Sequence, residues 1–200
     1  MKQLAIAIIA AGMLMLAASA KAEDSFERTL AESAAARMKD AASAAWHTAQ
    51  QLSAVALGLV GVDYRYGGES PETGLDCSGL VRYVFQQVTG ITLPRSAKEM
   101  SRVGDKVALD DLKPGDLVFF NTRRFAFSHV GIYLGDNQFI HAPSRGREVE
   151  VATFDKSFWQ KHFNGARRLV HAMPDLMPAL VGEAVAAPME ALAAEAETQP

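Results

Sequence analysis

The chain has 200 residues, 20 Lys and Arg against 23 Asp and Glu, a formal net charge of −3 and a single cysteine. One cysteine cannot close an intramolecular disulfide, so a small stapled scaffold is excluded and stability must come from an apolar core. Residues 61–172 hold 15 bases and 13 acids and residues 173–200 five acids and no base, which leaves no basic stripe of the kind nucleic-acid binding needs.

The chain opens with "MKQLAIAIIAAGMLMLAASAKA" (1–22): a basic start at Lys2, an apolar run from Leu4 to about Leu16, then small residues. Ala20-Lys21-Ala22 fits a small-x-small cleavage pattern, with Ala18-Ser19-Ala20 as a second option. The apolar run is short for a span of about 20 residues, so the stretch reads as a cleaved export signal. No cysteine lies near the cut that could carry a lipid. The expectation is a periplasmic or secreted protein without a stable membrane anchor, starting near Glu23. Without Lys2 and Lys21, 18 basic residues face 23 acidic ones, a net charge of −5.

Residues 23–47 are an Ala-rich helical extension, suited to binding an adaptor of unknown identity or to acting as a spacer. Helical spacing continues through "WHTAQQLSAVALGLVG" (46–61), with Gly58 or Gly61 as the stop. Val62–Gly74, punctuated by Gly67, Gly68, Pro71 and Gly74, reads as loop. A helix then starts at Cys77, with Asp76 or Gly74 ahead of it. Leu80, Val81, Val84, Phe85 and Val88 form its apolar stripe, and Gly90 ends it.

"ITLPRSAKEM" (91–100) is a connector, and Asp110–Asp116 is a turn cluster. Strands follow at 117–121, 128–135, 138–142, 148–153 and 166–170, rich in β-branched and aromatic residues, with Gly135-Asp136-Asn137 turning the second into the third. Helices first and strands later predict an α+β domain with an antiparallel sheet. Residues 48–172 are its extent. The tail 173–200, with prolines at 174, 178, 188 and 200, reads as disordered or weakly helical.

Cys77 at a helix start meets unpaired N–H groups and partial positive charge, which favour a thiolate. The carboxylate of Asp76 would act the other way if it lay close, so a cap or a substrate contact suits it better. A neighbouring imidazole would do more than the helix end. The chain has five histidines. His47 reads as a helix-face residue, and His162 and His171 lie at the far end of the domain. His129 and His141 sit on consecutive strands; pairing 131 with 141 and 129 with 143 makes them near-diagonal neighbours, within reach on one face. Such a pair suits a relay, one imidazole acting as base toward Cys77 and the other orienting it. Local pattern leaves two alternatives open: a cysteine that is simply a small buried hydrophobe, and a Cys-His-His metal site.

"GVDYRYGG", "LDCSGLVRYVF", "LPRSA", "KPGDLVFF", "SHVGIYLGDNQFIHAPS" and "GARRLV" occur in the order seen in the NlpC/P60 family. The chain resembles these papain-like cysteine peptidases of bacterial peptidoglycan from roughly Gln50 to Val170. The resemblance implies the papain-like NlpC/P60 fold, N-terminal helices on an antiparallel sheet of about five to six strands. It implies Cys77 as nucleophile, His129 as general base and His141 as the residue orienting it. Tyr64 would polarise the scissile carbonyl with the backbone N–H of Cys77, and Asp76 and Ser78 would line the substrate groove. No metal or other cofactor is implied. The implied partners are stem peptides, cut at D-Glu–diaminopimelate or at the D-Ala–diaminopimelate cross-link; a catalytically silent wall-binding or regulatory module of the same fold is the alternative. Asp63 stands where the family often has proline, and Tyr66 where tryptophan is common, which bears on substrate preference.

Overall fold

The computed structural model describes residues 2–123, 125–154 and 157–169, with side chains from Glu27 onward; the tail read at 173–200 lies outside them, as does His171. Residues up to Ala44 form one compact unit, and those from Ala45 onward another. Helix α1 (Lys2–Leu57) contains both the segment read as an export signal and the Ala-rich extension. It stops where Gly58 begins a turn. Within the second unit its apolar positions Ala49, Leu52 and Ala56 recur at helical spacing and are buried.

The segment expected to be plain loop contains a two-strand hairpin, β1 (Glu69–Ser70) with β2 (Gly74–Leu75). Glycine is needed where the turn folds back: a Cβ on Gly68 would lie 2.2 Å from the Gly74 carbonyl oxygen. Helix α2 (Cys77–Thr89) begins and ends where its sequence signals fall. Asp76 caps it, and Gly90, at φ 73°, closes it in the left-handed conformation. Leu80, Val81, Val84 and Phe85 are fully buried on its inner face, each contributing about 1.5–3 kcal/mol.

The expected connector contains a short helix, α3 (Ala97–Met100), held by a capping box in which Ser96 and Glu99 satisfy each other's backbone. The strands are β3 (Asp105–Val107), β4 (Leu117–Phe120), β5 (His129–Gly135), β6 (Gln138–His141), β7 (Glu150–Thr153) and β8 (Phe163–Arg168), with helix α4 (Ser157–His162) before the last. They form one sheet of six in the order β3-β8-β4-β5-β6-β7, antiparallel at every junction. This is the α+β architecture expected. The β5–β6 hairpin turns through Asp136 and Asn137, both at positive φ, as a two-residue hairpin loop demands.

Alternation along the strands builds two cores. Leu117, Phe119, Val130, Ile132 and Ile140 join the helices, while Val118, Phe120, Tyr133 and Phe139 gather with Phe154, Ala166 and Trp159. The second, aromatic cluster holds the two histidines: Phe120 lies against His129 and Phe139 against His141.

Candidate active site

Asp76 does far more at the head of α2 than cap it. Its Oδ1 accepts the Gly79 N–H at 2.7 Å and the Ser78 hydroxyl at 3.0 Å, and its Oδ2 accepts the Gly67 N–H at 3.0 Å. Arg95 closes the cluster, donating to both carboxylate oxygens and, at 2.8 Å, to Ser78 Oγ. Burial pushes the Asp76 carboxyl up, but the Arg95 hydrogen bonds and charge, the Gly79 N–H and Ser78 outweigh it and hold it below its ordinary value. Asp76 and Ser78 are therefore committed to one another and to Arg95. Arg95 sits in the "LPRSA" stretch, yet as a partner of Asp76 it was not legible locally, because 19 residues separate them.

Cys77 is the first residue of α2 and partly buried. Burial raises its thiol pKa, and the Asp76 charge raises it further. The N–H groups of Val130 and Ser78 and the charge of Arg123 pull the other way without prevailing. The helix-end argument for a standing thiolate is thus overridden: desolvation and a carboxylate beside the sulfur favour the neutral thiol. Val130, whose N–H acts on the thiol in this way, is the residue after His129 on β5.

His129 Nε2 and His141 Nδ1 lie 2.8 Å apart in a buried hydrogen bond. Strands β5 and β6 pair Ile132 with Ile140, the register that sets 131 opposite 141. The Trp159 ring stacks on His129 at 5.9 Å and meets His141 edge-on at 4.9 Å. Burial lowers the His129 pKa to about 4, helped by the Arg123 charge, and that of His141 to about 2, helped by the charges of His129 and Arg147. Both rings are neutral at neutral pH. With Nε2 engaged by His141, the nitrogen of His129 left for a proton is Nδ1.

Tyr64 stands on the segment before the β1–β2 hairpin; its N–H bonds the Arg147 carbonyl at 2.8 Å, and it bridges to Leu75. Its hydroxyl pKa is raised by burial and by the charges of Cys77 and Asp76, and lowered by a hydrogen bond and charge from Arg123. Tyr64, Cys77, Ser78, Arg95, Arg123 and Phe127 all line one pocket of about 280 Å³. Of the six predicted site residues, Tyr64, Asp76, Cys77 and Ser78 line this pocket, whereas His129 and His141 do not line it and lie buried against each other on β5 and β6. The structure adds Arg95, Arg123 and Trp159. Arg123 also lies 6.0 Å over the exposed Tyr66 ring, at the pocket's rim; an arginine amid the polar "NTRR" carries no local signal for that role.

Among the described residues no group of three or more His, Cys, Asp and Glu is placed to hold a metal ion. The nitrogens His129 Nε2 and His141 Nδ1, which a shared ion would use, face each other. The arrangement suits nucleophilic chemistry: a thiol at a helix start, a neutral imidazole on the strand packed against that helix, and a second imidazole fixing the first.

The sequence model of the NlpC/P60 family matches residues 61–168. The chain belongs to the NlpC/P60 family. Among curated relatives, the murein DD-endopeptidase MepH of Escherichia coli is 38% identical over 153 residues, 75% of this chain and 54% of its own. The gamma-DL-glutamyl hydrolase of Bacillus subtilis is 49% identical over 110 residues, 54% of this chain and 26% of its own. The chain thus spans about half the length of the first of these NlpC/P60 relatives and a quarter of the second. Among solved structures, an NlpC/P60 family protein from Bacillus cereus superposes with a TM-score of 0.57 at 33% identity, covering 61% of this chain and 40% of that one. The fold is that of the NlpC/P60 domain.

Proposed function

We propose that this chain is an exported cysteine endopeptidase that hydrolyses peptide bonds in peptidoglycan stem peptides during cell-wall remodelling. The observation that carries the reading is the buried His129–His141 hydrogen bond at 2.8 Å, on the strand packed against the helix that Cys77 begins. As Cys77 Sγ attacks the scissile carbonyl carbon, His129 Nδ1 takes the thiol proton. The oxyanion is received by the Cys77 N–H, which has no partner within the helix, and by the Tyr64 hydroxyl. His129 then passes the proton to the leaving amine as the C–N bond breaks, leaving a thioester on Cys77. Water attacks that thioester with His129 as base, releasing the acid half and restoring the thiol. His141 fixes the His129 ring throughout, and Asp76, Ser78 and Arg95 shape the groove wall beside the nucleophile.

The D-Ala–diaminopimelate cross-link is the favoured bond, because the relative aligned over 75% of this chain is named a DD-endopeptidase. The D-Glu–diaminopimelate bond is the second reading, supported by the 49% identity to a relative named for DL-glutamyl hydrolysis. The leader at 1–22 supports action in the periplasm or outside the cell. Digestion of purified muropeptides, read by mass spectrometry, separates the two bonds. Conversion of cross-linked dimers to intact monomers is expected; release of dipeptide or tripeptide fragments from uncross-linked stems would assign the stem bond instead.

A further inference from the structure

The histidine pair ends at an atom without a hydrogen-bond partner. His141 Nε2 is buried and makes no hydrogen bond. The Glu150 carboxylate faces it, with Oε1 3.5 Å away. Backbone register sets this up: β6 and β7 pair His141 directly opposite Glu150, so both side chains share one face of the sheet. Arg147 Nη2 reaches both Glu150 oxygens at 2.6 Å and steadies the carboxylate. The Arg147 carbonyl in turn accepts the Tyr64 N–H, so this clamp is anchored on the segment that carries Tyr64.

We propose that Glu150 is a positioning residue that selects the tautomer of the His129–His141 pair; the proposal rests on the reading of Cys77 and His129 given above. The hydrogen bond between His129 Nε2 and His141 Nδ1 holds one proton, and either ring can own it. If His129 Nε2 owns it, His129 Nδ1 is a bare lone pair able to accept the thiol proton. His141 then carries its own proton on Nε2, aimed at Glu150. If His141 Nδ1 owns it, His129 carries its proton on Nδ1 and cannot act as base. His141 Nε2 is then a bare, buried lone pair facing a carboxylate. Repulsion disfavours the second arrangement and attraction favours the first. When His129 becomes imidazolium, the same carboxylate offsets its charge through His141, as outer partners of catalytic imidazoles do.

The charged groups facing this pair come from several elements. His141 meets His129 from β5, Glu150 from β7 and Arg147 from the turn before β7, while Arg123 and Asp76 act on His129. Phe139 and Trp159 contribute uncharged rings.

The test uses the full chain, with ¹⁵N-labelled histidine and cross-linked murein dimers as substrate. In the wild type the ring-nitrogen shifts should report Nε2–H tautomers for both His129 and His141. Glu150→Ala should populate the Nδ1–H form of His129 and lower kcat by about 10- to 100-fold, the range expected when the outer partner that orients a functional imidazole is removed. KM should hold, because Glu150 does not line the pocket. The acid limb of kcat/KM should move to lower pH, since the imidazolium has lost its carboxylate. Arg147→Gln should move that limb the opposite way, by removing a cation. Glu150→Gln, which still offers an oxygen acceptor, should recover part of kcat but not the position of the limb, and it supplies the same readouts if Glu150→Ala does not fold. A merely structural role would lower the melting temperature and kcat while leaving the limb in place, and that result overturns the proposal. Wild-type ring shifts and pH profile in the Glu150 variants overturn it as well. Cys77→Ala, assayed in parallel, separates the levels. If it turns over like the wild type, the catalytic reading fails and this inference with it. If it is inactive while the Glu150 variants match the wild type, the inference alone fails.

Discussion

His129 and His141 are the residues whose chemistry depends most on where the fold puts them. An exposed imidazole titrates near 6.5, and burial moves His129 to about 4 and His141 to about 2. Between these values and 6.5 the unfolded chain binds protons that the folded chain does not. Stability from this source is therefore fully present above pH 6.5 and is lost as pH falls toward 4. For His129 alone the loss between pH 6.5 and 4.5 is about 2 kcal/mol. Thermal unfolding measured across that window should show a melting temperature falling with pH. His129→Gln/His141→Gln should flatten that slope, and a wild-type melting temperature that does not change from pH 6.5 to 4.5 would contradict the buried neutral pair. The same neutrality, with a thiol pKa raised by burial and Asp76, describes a resting enzyme that moves its proton during attack and not beforehand.

At the scale of elements, α2 decides the geometry of the site, and its position is set by close backbone approach as well as by its apolar stripe. A Cβ on Gly79 would lie 2.0 Å from the Gly68 carbonyl oxygen. Gly79→Ala must push the helix and the loop at 67–68 apart. That loop also gives the Gly67 N–H to Asp76 Oδ2. The expected cost is about 2–3 kcal/mol, read as a melting temperature lower by about 10 °C, with activity reduced because the cluster around Asp76 loosens. A variant melting with the wild type would mean the loop retreats freely. Helix α2 was legible in the sequence because its signals are local: a capping aspartate, a stripe at 3.6-residue spacing and a terminal glycine. The β5–β6 hairpin was legible for the same reason, and its register brought His129 and His141 together as the turn implied. The capping box at Ser96 and Glu99 was present in the sequence too, but the helix it starts has four residues and no stripe to reveal it.

Across the whole molecule, what escaped the sequence depends on distance along the chain. Strand β3 is short and its residues Asp105 and Lys106 are charged and exposed; it exists because β8, some 60 residues later, offers it an edge. Trp159 reaches both histidines from α4, which carries no sign of that role. Arg95 and Glu150 became site residues only when strand pairing and the loop around Asp76 were in place. Asp76 itself, expected as a cap or a groove contact, is both a cap and the partner of Arg95, and it raises the thiol pKa of its neighbour. Fold class, the helix start at Cys77 and the histidine pair could be read from pattern and resemblance; the electrostatics around them needed three dimensions.

The most direct test of Cys77 as nucleophile compares wild type and Cys77→Ala on the same purified murein dimers by mass spectrometry. The wild type should convert dimers to monomers and Cys77→Ala should release none, while melting within a few degrees of the wild type. Equal release by the two proteins would contradict a thioester mechanism at Cys77.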